Sequence, residues 1–238
     1  RGLPGSDDDT QSRYLEAAVL GIQVGCLYLP NGNPQPGPKF DYKLRWMDRL
    51  RTRMSEIQEE TGSVVVAVRA DVTKPKDVRD LVSQAGKRFG TVHVLVVNAG
   101  GPAEGEMLAL TDKDWQKAHE LTLMSMACLT RAVLPMMVRQ QWGRIITINS
   151  IVAKQPVNEL LLSAAIRPGI GGLVKVLANQ YAKYNITINT VCPGHIRTQR
   201  QEELARFRAE ARRISIERYF AETAAAIQTE FGKVPYLN

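Results

Sequence analysis

GRIITINSIVAKQPVNELLLSAAIR, residues 143–167, is the stretch whose reading decides the fold. It begins with a continuous apolar run that ends at Asn149-Ser150, and a helical pattern starts near Leu160. Polar and apolar residues alternate along a strand only where one face meets water, so an unbroken apolar run predicts a strand buried on both faces. Working outward, Val64 to Ala70, Val92 to Val97 and Ile186 to Cys192 are further apolar runs of strand length. Helical stretches separate them. Thr73 and Pro75 open one that ends near Phe89. Thr111-x-x-Asp114 has the form of a capping box and starts a long helix reaching Pro135, and another helix spans about Leu160 to Lys183. Strands alternating with helices predict a three-layer α/β fold, a doubly wound and mostly parallel sheet with helices on both faces.

The first fifty residues differ in character. Arg13 to Val19 and Ile22 to Leu29 read as a strand pair, and a loop dense in Pro, Gly and Asn follows over residues 30–38. A helix is predicted from about Asp41 to Thr61, with Leu44, Met47, Leu50, Met54 and Ile57 on one stripe and Gly62 as the stop. The chain thus divides into residues 1–50 and 51–238, expected to fold as one unit.

Composition sets bounds. Of 238 residues, 44% are hydrophobic and 23% charged, enough apolar material for an ordinary globular core. No run approaches the roughly 18 apolar residues that cross a bilayer, and the polar, acidic first ten residues do not read as a signal peptide. Cys26, Cys128 and Cys192 are odd in number and lie in apolar segments, which predicts buried free thiols and a cytoplasmic protein. The net charge of +7 comes largely from Lys43 to Arg53 and Arg197 to Arg218. Both stretches also carry acids or apolar helical positions, so they read as solvated helix faces, with neither nucleic acid nor membrane expected as a partner.

Several strand-end motifs stand in a fixed order. Asp71 follows the strand 64–70, Val97-Asn98-Ala99-Gly100 follows the next, Ser150 ends the third with Ser163 and Arg167 after it, and Asn189-Thr-Val-Cys-Pro193-Gly194 with Thr198 follows the fourth. From residue 63 to about 232 the chain resembles the short-chain dehydrogenase/reductase family, single-domain Rossmann-type oxidoreductases that move a hydride between a carbonyl or alcohol and NAD or NADP. The resemblance implies that Asp71 meets the adenine ring, Asn98, Ala99 and Gly100 the ribose, and Pro193, Gly194 and Thr198 the nicotinamide end. It also implies that Ser150 holds the substrate oxygen.

The same resemblance exposes departures. The family carries Tyr-x-x-x-Lys where this chain has Ser163 and Arg167, and a helix Asn where it has Thr122. The family's Tyr is the proton donor, its pKa lowered by the Lys. A serine hydroxyl is a poor general acid near neutral pH, and an arginine does not shuttle protons. Ser150, Ser163, Arg167 and Thr122 are therefore the candidate catalytic positions, with water or His195 as the substitute donor. No Thr-Gly-x-x-x-Gly-x-Gly turn precedes residue 63, so weakened NAD or NADP binding is expected. The expected activity is weak hydride transfer on a small carbonyl or alcohol. A catalytically inactive, dimerising scaffold is the alternative.

Arg13-Tyr-Leu-Glu-Ala, Leu27-Tyr-Leu-Pro-Asn-Gly-Asn-Pro and Phe40-Asp-Tyr-Lys-Leu-Arg-Trp-Met-Asp-Arg-Leu50 look like an internal piece of the exodeoxyribonuclease III family. That likeness would put Tyr28 and Asn31 at a phosphate site, and it makes a nuclease remnant a further alternative. The carboxylates and His that bind metal in that family are absent from the chain, so no metal site is expected. Two structural expectations complete the reading. The family's first two strands are missing, and the pair 13–19 and 22–29 is expected to fill their place in the sheet. Helices 112–135 and 160–183, with Leu121, Met124, Cys128 and Leu129, are expected to form a homodimer or homotetramer interface.

Overall fold

A computed structural model describes residues 3–5, 14–20, 22–27, 36–194, 205–206, 208–210 and 212–231. The chain divides into two compact units, residues 68–195 and residues 1–67 together with 196–238.

The unit 68–195 is built on a parallel sheet of three strands, β3 (Val94–Val97), β4 (Gly143–Ile148) and β5 (Ile186–Val191), in the order β3-β4-β5. Leu95 stands beside Ile145, and Ile145 beside Ile188, so Leu95, Val97, Ile145, Thr147, Ile186 and Ile188 share one face. Helices α2 (Pro75–Phe89), α3 (Asp112–His119), α4 (Ser125–Arg139) and α5 (Leu161–Tyr181) belong to this unit. α4 lies against β3 and β4, α5 against β5, and α2 against α4. Met126, Met137 and Ile145 are fully buried there, and each such side chain contributes roughly 1.5–3 kcal/mol through area removed from water.

The helix boundaries follow local chemistry. Asp114 accepts hydrogen bonds from the Thr111 backbone N–H at 3.0 Å and from its hydroxyl at 2.6 Å, which closes the predicted box at the start of α3. α3 and α4 are one helix interrupted by a π turn at Glu120–Met124, a feature the periodicity did not reveal. The helix also runs through Pro135 to Arg139 instead of ending there. Pro135 is on the exposed side, where water can satisfy the carbonyl it frees.

The parallel sheet flanked by helices is the incomplete three-layer α/β fold expected from the sequence. Among the described residues, Val94, Val96 and Val191 are 49%, 55% and 47% exposed on the sheet face opposite Ile145. One expected strand is missing. Residues 63–71 form no strand, and Val64, Val65 and Val66 are 47%, 38% and 48% exposed. A strand needs a neighbour to satisfy its backbone groups, and among the described residues no strand pairs with this segment. Neither Asp112–Arg139 nor Leu161–Tyr184 contains an unbroken apolar run of about 18 residues, although both are long and apolar enough to cross a membrane by length and composition alone. Half of the first stretch is buried, 50%, as in a core helix, against 22% of the second.

In the other unit, β1 (Tyr14–Val19) and β2 (Ile22–Leu27) form an antiparallel pair of their own and do not extend the parallel sheet. The expectation that they fill the missing strands is therefore overturned. The hairpin is tied to α1 (Pro38–Thr61) instead. Arg53 of α1, 2% exposed, grips Glu16 with two parallel bonds of 2.7 and 2.9 Å, and it also meets Glu56 at 3.0 Å and Glu60 at 2.9 Å. The buried face of α1 carries Trp46 and Arg53, while Leu44 and Met47 of the predicted stripe are 47% and 45% exposed. α1 stops where expected, at Gly62 with φ 67°, whose N–H donates to the Gln58 carbonyl. α6 (Ile216–Phe231) ends the described chain, with Arg212 and Arg218 both paired to Glu222.

Candidate active site

β4 ends at Ile148, and the next two residues carry the site. The Asn149 N–H donates to the Val191 carbonyl at 2.8 Å, and the Ile151 N–H donates to the Pro193 carbonyl at 3.0 Å. These bonds bring Asn149, Ser150, Pro193 and Gly194 together at the carboxyl ends of β4 and β5, where ligands bind in open parallel sheets. Ser150 caps a single 3-10 turn at Ile151–Ala153, its Oγ accepting from the Val152 N–H at 3.2 Å. Its own hydroxyl proton is free to point elsewhere.

Ser163 and Arg167 are four residues apart on α5, hence on one face of the helix, and each is 8% exposed. Arg167 is held to Asn149 twice. Its Nη1 donates to Asn149 Oδ1 at 3.2 Å, and Asn149 Nδ2 donates to the Arg167 carbonyl at 3.2 Å. Arg167 Nε is buried without a hydrogen-bond partner. Burial pushes the guanidinium below its ordinary range, and Cys192 acts weakly the other way. Thr122 lies in the π turn, which packs against α5, and is 4% exposed. Its hydroxyl donates back to the Ala118 carbonyl, one turn earlier on its own helix. That bond occupies the proton a water chain would need.

The cofactor-side residues are arranged differently. Asp71 is exposed and accepts from the Thr73 N–H at 3.0 Å and the Thr73 hydroxyl at 2.7 Å. Those bonds hold its carboxyl below the usual carboxylate range. Asn98 and Gly100 are exposed and Ala99 is half-buried. A side chain at Gly101 would meet nothing within 4 Å, and one at Gly100 would meet Leu121 at 4.0 Å. Thr198 and His195 lie outside the described residues, as do Tyr28 and Asn31. Among the described residues, no group of three His, Cys, Asp or Glu is placed to hold a metal.

The structure therefore brings Ser150, Arg167, Pro193 and Gly194 into one neighbourhood, with Ser163 one helical turn from Arg167 on α5. It adds Asn149 and Cys192, which the sequence reading did not assign to the site. The signal for Asn149 was available, because a polar amide at the end of an apolar strand needs a partner.

Comparison with known proteins shows the family. The family model described as short chain dehydrogenase matches residues 41–209. D-beta-hydroxybutyrate dehydrogenase of Rhizobium meliloti is 30% identical over 177 residues, 74% of this chain and 68% of that protein. The 3-oxoacyl-acyl-carrier-protein reductase FabG of Escherichia coli K12 is 32% identical over 149 residues, 63% of this chain and 61% of that protein. A solved short-chain dehydrogenase/reductase from Burkholderia xenovorans superposes with a TM-score of 0.59 at 30% identity, covering 67% of this chain and 64% of the other. One from Streptomyces avermitilis gives 0.56 at 27% identity, covering 60% and 53%. The chain belongs to the short-chain dehydrogenase family, a class of oxidoreductases that typically use NAD or NADP, act on small molecules and oligomerise. It spans roughly half to two thirds of the length of the relatives it matches. The family match starts at residue 41, inside the segment likened to the nuclease, and the relatives named here are all dehydrogenases or reductases, so they give no support to a nuclease fragment.

Proposed function

We propose that residues 1–238 form a short-chain dehydrogenase/reductase with an altered site, binding NAD or NADP weakly and transferring hydride slowly at a small carbonyl or alcohol. One observation carries the reading. Where the family places its Tyr and Lys, this chain has Ser163 and Arg167, both buried, with the guanidinium bound to Asn149. Neither supplies a proton near neutral pH.

The residues suit part of a nicotinamide cofactor. Asp71 would hold the adenine, Asn98 to Gly100 the ribose, and Pro193 and Gly194 the nicotinamide end. When bound, the cofactor supplies the hydride. Ser150 orients the substrate oxygen through its free hydroxyl proton. Residues 1–62 contain no Thr-Gly-x-x-x-Gly-x-Gly turn for the pyrophosphate. Each charge-assisted hydrogen bond so lost is worth roughly 1.5–3 kcal/mol, and together they cost orders of magnitude in affinity. The test is carbonyl reduction by the chain and by a Ser163→Tyr, Arg167→Lys double variant. The double variant is expected to turn over no faster than the unmodified chain, because cofactor binding is limiting. Robust turnover would refute the reading. With Cys128 and Cys192 present as free thiols, a cytoplasmic location fits.

A second reading, a dimerising non-catalytic protein, rests on α5. It is strongly apolar, yet Val176 is 54% exposed, and Met124 in the π turn is 38% exposed. Cys128 and Leu129, expected at that surface, are instead in the core at 8% and 7%. A monomer by light scattering at micromolar concentration would remove this reading.

A further inference from the structure

Arg167 is more than nine-tenths buried, yet no carboxylate among the described residues pairs with it. Its one side-chain acceptor is the neutral amide of Asn149, at 3.2 Å, and its Nε donor is left without a partner. Buried charges are ordinarily paired, because a lone buried ion is costly. The guanidinium also stands at the carboxyl ends of the strands, beside the Ser150 turn and one helical turn from the buried hydroxyl of Ser163. A planar guanidinium with a spare N–H, on the same helix face as a buried serine hydroxyl, is chemically matched to an oxyanion.

We infer that Arg167 is the centre of an oxyanion site, which takes a carboxylate or phosphate group of a small molecule with Ser163 as a second donor. The anion would provide the missing counter-charge and accept the Nε proton. This inference does not require hydride transfer. A chain that binds oxyanions but no NAD(P)H keeps the site and loses the function proposed above. A chain that binds NAD(P)H but no oxyanion does the reverse.

The test uses the full chain and follows thermal unfolding against acetate, inorganic phosphate and chloride at matched ionic strength. A ligand that binds only the folded state raises the midpoint with concentration. A saturable rise of several degrees with acetate or phosphate, but not with chloride, is expected. The stronger of the two identifies the ligand group as carboxylate or phosphoryl. Arg167→Met should abolish the rise, and Arg167→Lys should weaken it. Should Arg167→Met not fold, Ser163→Ala carries the test, with a several-fold weaker response expected. An identical response in wild type and these variants, or no saturable response to either anion, would overturn the inference.

Discussion

Asn149, Ser163 and Arg167 are 7%, 8% and 8% exposed at the end of β4, whereas Asp71 and Asn98, the cofactor-side residues, lie open to solvent. Ser163 and Arg167 on one side, and Asp71 and Asn98 on the other, belong to the same ordered set of strand-end motifs, whereas Asn149 enters from the structure. Among the buried positions, two departures from the family pattern are bonded within the fold. Arg167 bonds Asn149, and Thr122 bonds its own helix. In the exposed group, the residues match the family while little of the protein holds them in place. A matching residue is therefore weaker support for a working site than the structure around it.

The contrast can be tested by substitution. The largest effect is expected at Leu162, 0% exposed and adjacent to Ser163. Leu162→Ala should destabilise by about 2–5 kcal/mol in urea unfolding, and a loss below about 1 kcal/mol would mean that α5 is loosely packed. Asn149→Ala comes next. It removes the acceptor for buried Arg167 and should cost about 1–3 kcal/mol by the same measurement. No loss would show that the Arg167–Asn149 pair does not form in solution. On the open side, Asn98→Ala should change stability by less than about 0.5 kcal/mol. A larger loss would mean that Asn98 has a structural partner and would blur the contrast.

The smallest effect is pH-dependent. The hydrogen bonds from Thr111 hold the Asp114 carboxyl below its usual range. A depressed folded pKa adds stability above the unfolded value of about 3.9, and that stability is lost as pH falls through the folded value. Asp114→Asn should therefore be slightly less stable than wild type at pH 7, with the gap closing below about pH 3.9. A gap unchanged down to pH 2 would argue against the capping box.

Much of the unit 68–195 was legible in the chain. β3, β4 and β5 fall within the apolar runs, α2 ends at Phe89 as expected, and Ser150, Ser163 and Arg167 are at one strand end. What was not legible depended on partners distant in sequence. The run 64–70 has every mark of a strand, but the sequence does not say whether a neighbour pairs with it. The stripe on α1 pointed to Leu44 and Met47, whereas the buried face is chosen by Trp46 and by the bond from Arg53 to Glu16, 37 residues away. The π turn that seats Thr122 leaves no mark in periodicity. Asn149 was passed over because it was read only as the residue before a serine.

Cofactor affinity tests the central claim most directly. NADH and NADPH should be titrated into the unmodified chain from micromolar to millimolar concentration, following nicotinamide fluorescence. The account predicts no saturation below the millimolar range, because the pyrophosphate has no glycine-rich turn to meet and Asp71 and Asn98 stand open to solvent. A micromolar dissociation constant for either nucleotide would contradict it, and would show that residues outside the matched motifs complete the binding site.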